Sequence, residues 1–194
     1  MKPHNLSNHF RQQRMRKFLE LVPAEGGVRI LDLGGTPEYW RALPALYGLP
    51  NVEITILNLD RRERTDQNLA VRYGDACATG LPDNSFDIVH SNSVIEHVGD
   101  WTRMEAMAGE VRRLAPSYFV QTPNYWFPVE PHYKMPFVQF LPALLRNRIR
   151  DAVFPNDSIE LLRPGQMRSL FPDAALWRER VAGLTKSLVA IRAG

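Results

Sequence analysis

At 194 residues, with 44% hydrophobic and 23% charged side chains, the chain has the size and composition of one globular domain with a full core, which excludes a disordered or fibrous architecture. Lys and Arg number 24 against 21 Asp and Glu, a surplus too small for the strong field of a nucleic-acid binder, so nucleic acid is not the expected partner. The only cysteine, Cys77, excludes an intrachain disulfide and a multi-cysteine zinc site, and no apolar run has signal-peptide or membrane-span length, so a cytoplasmic protein without a transmembrane segment is expected.

Between residues 6 and 22, Phe10, Met15, Phe18, Leu19 and Val22 recur at helical spacing among Arg11, Arg14, Arg16 and Lys17, the pattern of an amphipathic helix. Pro23 breaks it, and residues 28–33 follow as a buried strand that ends on Gly34 and Gly35. Thr36-Pro37-Glu38 reads as a helix start, with Thr36 able to cap free amides, Pro37 suited to the first position and Pro44 expected to break or kink the helix midway. Further strands are expected at 52–59, 69–73 and 86–91, a helix at 99–114 and a fifth strand at 117–121. Residues 123–142 carry five prolines and read as an ordered insertion that is neither helix nor strand. A helix at 161–171 and two closing strands at 174–181 and 186–192 complete the chain.

Strands alternating with helices predict an α/β fold of the doubly wound, Rossmann-like kind: a mostly parallel seven-stranded sheet with helices on both faces. The whole of 1–194 reads as one domain, with 1–27 as an N-terminal helix and lid, 28–122 as the ligand-binding core, 123–160 as an insertion over the pocket and 161–194 as the closing elements. Such a sheet binds ligands outside the carboxyl ends of its strands, so the tips of the first four strands are where a site is expected.

Gly34 and Gly35 permit a turn that side chains would obstruct and let a ligand approach the backbone, while Asp32 can accept hydrogen bonds that order the turn. A plain tight turn explains the pair as well. The fingerprint G-x-G-x-x-G is not met, since Thr36 and Tyr39 stand at its second and third glycines, which argues against a pyrophosphate loop. Asn58 and Asp60, on either side of Leu59, fall on one face of the second strand, where one of them can reach a ribose, with a solvated strand end as the competing reading. Asp75 is either a ligand acceptor or a turn residue. His97 is either a structural histidine or a base that takes a proton from a substrate hydroxyl, since imidazole titrates near neutrality.

Taken in order, Leu31-Asp32-Leu33-Gly34-Gly35-Thr36 resembles motif I of the class I S-adenosylmethionine-dependent methyltransferases. Leu81-Pro82-Asp83-Asn84-Ser85-Phe86-Asp87-Ile88-Val89 and Ser91-Asn92-Ser93-Val94-Ile95-Glu96-His97-Val98 are similar to their small-molecule, methyltransferase type 11-like branch. The resemblance implies S-adenosyl-L-methionine as cofactor, with Asp32, Gly34, Gly35 and Thr36 around its amino acid part and Asn58, Leu59 and Asp60 on the ribose side. It further implies Asp75 and the Ala76 amide at the adenine, and Ser91 with the residues after it near the reactive methyl. Thr36 and Asn58 stand where the family has a glycine and an acid. The stretches Thr122-Pro123-Asn124 and Glu130-Pro131-His132 are like those of the same branch and imply a substrate-facing wall, with Glu96, Glu130 and Tyr133 on the acceptor and His97 or His132 as the base.

The expected activity is methyl transfer to a small-molecule acceptor, at an oxygen, in which positioning supplies most of the rate. No His, Cys and carboxylate spacing calls for a metal. Two other readings stay open: a non-catalytic cofactor-binding or scaffold protein on the same fold, and an RNA methyltransferase that uses the basic first helix with Arg146, Arg148 and Arg150. The apolar stretch 137–145, with those arginines after it, reads as a lid, a homodimer contact or a membrane-surface segment.

Overall fold

The computed structural model describes residues 6–43, 45–130, 135–153 and 159–194. In chain order the elements are α1 (Leu6–Leu19), β1 (Val28–Leu33), α2 (Pro37–Arg41), β2 (Val52–Asn58), β3 (Arg64–Asp66), β4 (Leu69–Tyr73) and β5 (Ile88–Asn92). There follow α3 (Trp101–Leu114), β6 (Ser117–Pro123), β7 (Val129–Glu130), β8 (Met135–Pro136), α4 (Ala143–Val153), α5 (Pro164–Leu170), β9 (Ala175–Val181) and β10 (Leu184–Arg192).

The main sheet has the order β3-β4-β2-β1-β5-β6-β10-β9. Neighbours from β4 to β6 pair in parallel, while β3, β10 and β9 run antiparallel to the strands they pair with. The predicted α/β class is therefore found, with eight strands in place of seven. The added strand, β3, is the charged triplet Arg64-Thr65-Asp66 at the sheet's edge, where one side meets no neighbour and no apolar alternation is required. From β1 the chain builds outward to β2 and β4, then crosses back to lay β5 on the other side of β1. The crevice above β1 and β5 is thus the point where strand order reverses, which is where sheets of this kind receive ligands.

Each face of the sheet carries its own core. On one, Leu31, Leu33, Val89, Tyr118, Val120 and Leu188 pack against Met104, Met107 and Val111 of α3 and Met167 and Leu170 of α5. On the other, Ile30, Ile54, Ile56, Val71, Ile88, Phe119 and Val189 meet Met15 and Phe18 of α1 and Trp40 of α2. Phe18 is fully buried and stands edge-on to the rings of Trp40, His90 and Phe119, a burial that contributes about 1.5–3 kcal/mol. A long-range contact ties α1 to the far edge: Arg14 Nη1 reaches the fully buried carboxylate of Glu179 in β9 at 3.4 Å, with Lys186 of β10 at 3.8 Å. Burial pushes the Lys186 ammonium below the usual lysine range.

Local chemistry sets the element ends. Pro37 opens α2 and Thr36 takes the extended N-cap conformation, but its hydroxyl makes no cap hydrogen bond. The helix ends at Arg41, and the expected breaker, Pro44, lies outside the described residues. Asp100 caps α3 by accepting from the Arg103 amide at 3.0 Å. Pro164 sets the start of α5 three residues later than periodicity alone suggests. The insertion is more regular than expected, since it contains the β7–β8 pair, a 3₁₀ turn at Val138–Phe140 and then α4. Among the described residues no helix is long and apolar enough to cross a membrane.

Candidate functional site

At the carboxyl end of β1, Gly34 has φ +76°, a left-handed conformation that favours glycine, and its amide donates to the Leu57 carbonyl at 2.8 Å. A Cβ on Gly34 would lie 2.6 Å from both methyl groups of Val94, and one on Gly35 would lie 1.6 Å from Oδ2 of Asp32. Both glycines are thus required by side chains of the chain itself. Asp32 turns its carboxylate inward under Gly35, where it is 1% exposed and accepts from Trp40 Nε1 at 2.6 Å and from His90 Nδ1 at 2.8 Å. A carboxylate is acceptor only, so Nδ1 of His90 carries the proton, and Nε2 faces the Tyr39 hydroxyl at 3.4 Å. Phe18, Tyr39, Trp40 and Phe119 pack against the imidazole, with Tyr39 and Phe119 stacked on it at 5.3 and 5.8 Å between centroids. Asp32 therefore shapes the loop from below, held by residues that sequence reasoning missed. Only strand pairing, which puts Asp32 opposite His90, brings those two together.

At the end of β2, the Asn58 amide donates to the Gly35 carbonyl at 3.0 Å, and its Oδ1 accepts from the Asp60 amide at 2.9 Å. An acid at this position could not make the first bond, so the asparagine ties β2 to the glycine turn. Leu59 beyond it is 70% exposed. The Asp60 carboxylate is held below its usual range by hydrogen bonds from Arg62. After β4, Asp75 accepts from the Cys77 amide and from Arg103 of α3, with both carboxylate oxygens 2.9 Å from Nη2, and that guanidinium holds its carboxyl below the usual range. Ala76 packs half-buried against the α3 side of the core.

Beyond β5 the backbone is strained at one residue. Ser93 is a non-glycine in the left-handed region at φ 56°, which costs about 1–3 kcal/mol. Its amide donates to the Gln121 carbonyl at 3.0 Å and its hydroxyl to Gln121 Oε1 at 2.9 Å. The strain directs the chain so that Val94 meets Gly34 and the 3₁₀ turn Ile95–His97 begins. In that turn Glu96 is fully buried and accepts from the Thr122 hydroxyl at 2.9 Å, while His97 is half-buried. Ser91 is fully buried, with its hydroxyl already donating to the Leu33 carbonyl at 3.1 Å. Asn92 and Asn124, at the tips of β5 and β6, each bury a side-chain oxygen that has no hydrogen-bond partner among the described residues. Such an oxygen costs about 1–3 kcal/mol and is a natural acceptor for a ligand's donor. Two residues past the Asp32–His90 pairing, Asn92 comes level with Gly34 at the switch point. Glu130 is placed in β7 by its backbone only, and His132 and Tyr133 lie outside the described residues.

Residues 34–117 match a family model described as a methyltransferase domain. No curated protein sequence matches the chain. Among solved structures, an S-adenosylmethionine-dependent methyltransferase from Mesorhizobium loti superimposes with a TM-score of 0.63 at 15% identity, over 97% of this chain and 100% of that one. The carbon methyltransferase CurJ gives 0.60 at 14% identity, over 95% of this chain and 54% of that one. Phosphoethanolamine N-methyltransferase 2 from Haemonchus contortus gives 0.59 at 16% identity, over 86% and 38%. The chain thus spans 54% of the length of the second and 38% of the third, and at these identities the likeness is one of fold.

Proposed function

We propose that this chain is a class I methyltransferase that binds S-adenosyl-L-methionine above β1 and β5 and transfers its methyl group to an oxygen of a small-molecule acceptor, a reading supported by the domain match over 34–117 and by the fold. The observation that carries the reading is the Gly34-Gly35 turn at the switch point of the sheet, inside the stretch that matches the methyltransferase domain. The residues present fit the cofactor. The unpartnered Oδ1 of Asn92 beside Gly34 suits the ammonium of an amino acid, exposed Leu59 offers an apolar surface beyond β2, and Asp75 with the Ala76 amide suits the adenine edge.

When bound, this cofactor supplies a methyl group already activated on a positive sulfur. The chain's own work is then to fix geometry, which for two held reactants is worth roughly 7–11 kcal/mol. The buried Asp32–His90–Trp40 cluster and the Asn58 bridge hold the glycine turn from below and from the side, and the Ser93–Gln121 pair holds the tip of β5. His97 stands in the 3₁₀ turn after β5 and is the described residue suited to take the acceptor's proton, a role worth about 100- to 10,000-fold in rate. His132, Glu130 and Tyr133, on the segment after β6, are proposed as the second candidate base and as acceptor contacts, together with Glu96.

Isothermal calorimetry with S-adenosylmethionine and S-adenosylhomocysteine tests the cofactor. Binding in the range of about 1–50 μM is expected, weakened roughly tenfold in Asn92→Leu. Failure of both compounds to bind would remove the assignment. His97→Asn is expected to keep cofactor affinity and to lower turnover by at least about 100-fold. Tight binding without transfer to any hydroxyl, amine or thiol acceptor would instead favour a non-catalytic role, the reading that Asn58, engaged with Gly35, keeps open.

A further inference from the structure

Eight of the twelve large hydrophobic side chains that are exposed among the described residues fall between 126 and 153: Trp126, Val129, Met135, Phe137, Phe140, Leu144, Leu145 and Val153. Scattered exposed apolar groups are ordinary, but a concentration of this kind marks a contact surface. The rings are contiguous. Phe140 stacks on Trp126 with centroids 6.0 Å apart, Phe137 lies 6.4 Å from Phe140, and Tyr125 stands edge-on to Trp126 and Phe140. The platform is also built firmly, since Gln139 Nε2 donates to the Phe127 carbonyl at 2.5 Å and the Phe137 amide donates to Pro128 at 2.7 Å. Phe137 is 58% exposed and sits in the left-handed region at φ 61°, so strain is accepted at a residue whose ring points largely into solvent.

Three residues past that turn, α4 continues the surface. At 100° per residue, Leu145, Ile149, Ala152 and Val153 fall within an arc of about 100°, and Arg146 and Arg148 flank it on either side. Leu145, Ala152 and Val153 are exposed, so nothing among the described residues covers that side of the helix. The charge at the patch is basic. Arg146 and Arg148 of α4 carry positive charge beside the stripe, and Arg163 lays its guanidinium over Tyr125 at 4.6 Å and Trp126 at 5.6 Å.

We infer that the surface formed by the Trp126–Phe140 ring platform and α4 docks on the face of an anionic lipid bilayer. Tryptophan and phenylalanine rings beside guanidinium groups suit the headgroup level, where the ring enters the apolar boundary and the cation meets phosphate. Arginines near such a surface add electrostatic attraction to its anionic headgroups. A second copy of this chain fits the patch poorly, because a two-fold contact brings the same basic surface, with Arg146, Arg148 and Arg163, against itself. The patch belongs to the segment that leaves the tip of β6, so a docked molecule would hold its sheet rim beside the lipid. The inference rests on the surface alone and does not depend on the proposed methyl transfer.

Sedimentation with vesicles tests it in the full chain. Vesicles of phosphatidylcholine with about 30% phosphatidylglycerol should pellet the protein, vesicles of phosphatidylcholine alone should pellet far less of it, and salt should weaken the binding. Phe137→Asn with Leu144→Ser removes two exposed apolar groups, and asparagine tolerates the left-handed backbone at 137. The thermal midpoint should stay unchanged, and vesicle affinity should fall by at least about tenfold. Arg146→Gln with Arg148→Gln should abolish the preference for the anionic lipid. Three results would overturn the inference: no binding to anionic vesicles, equal binding by the wild type and the apolar double variant, or a dimer in light scattering that the apolar double variant dissociates.

Discussion

Replacing Gly35 by alanine adds one methyl group, and the structure specifies what it meets. Its carbon would lie 1.6 Å from Oδ2 and 2.4 Å from Cγ of Asp32, inside any contact distance. The φ of Gly35 is not in the left-handed region, so the whole effect comes from this collision. Asp32 cannot keep its place, and Trp40 Nε1 and His90 Nδ1, bonded to it at 2.6 and 2.8 Å, lose their acceptor inside the core. Hydrogen bonds to a charged group are worth about 1.5–3 kcal/mol each, which sums to about 3–6 kcal/mol against a usual total of about 5–15. For a domain of this size that lowers the melting midpoint by roughly 6–24 °C. Circular dichroism melts of wild type, Gly35→Ala, Asp32→Ala and the double variant make the test specific. Removing the carboxylate removes the collision, so adding Gly35→Ala to Asp32→Ala should cost under about 1 kcal/mol. If the two effects add, or if Gly35→Ala melts within about 2 °C of wild type, the inward placement of Asp32 is wrong.

Asn58→Asp restores the residue type that the methyltransferase resemblance leads one to expect, yet it should weaken cofactor binding, because a carboxylate cannot donate to the Gly35 carbonyl 3.0 Å away. Tighter binding in calorimetry would refute the bridge. Glu110 receives Arg113 and both donors of Thr79, which hold its carboxyl at about 2 instead of 4.5. Its folded-state value is depressed, so its contribution is complete above about pH 4.5 and is lost as the pH falls from there towards 2. The urea midpoint should therefore fall more steeply between pH 5 and 3 in wild type than in Glu110→Gln, and parallel curves would count against the assignment. Cys77 is buried, its Sγ lies 3.3 Å from the Arg103 carbonyl, and burial pushes its thiol up, so iodoacetamide should label it at least ~100-fold more slowly in the folded chain than in urea.

Hydrophobic periodicity located most of the sheet, because a parallel strand buried on both faces leaves an aliphatic run that nothing else in the chain imitates: 28–33, 52–59 and 117–121 each became strands within two residues. β3 was invisible for the opposite reason, since an edge strand of Arg, Thr and Asp has no apolar face to betray it. In the insertion the prolines hid the β7–β8 pair, whose two-residue strands depend on cross-strand contact rather than propensity. For the site, local sequence showed which strand tips matter but not which way the side chains turn. The glycine pair suggested a ligand close to the backbone, whereas the space it frees is taken by Asp32 and Val94. His90 could not be found, because its partner is 58 residues away and is brought opposite only by the β1–β5 register. Ser93 carried no sequence signal at all, since nothing in a serine announces a left-handed backbone.

The bond between Arg14 and Glu179 joins residues 165 positions apart. A ribosome delivers α1 long before β9 and β10, so the surface on which α1 lies is completed well after the helix itself. Phe18 needs Phe119, the cluster around it includes Val189, and Arg14 waits for β9. Between those two events Phe10, Met15 and Phe18 stand uncovered, an apolar face that chaperones would be expected to hold. Truncation after α5 would remove β9 and β10, residues far from α1 in sequence, yet would leave α1 without its seat, so two segments at a great sequence distance share one stability.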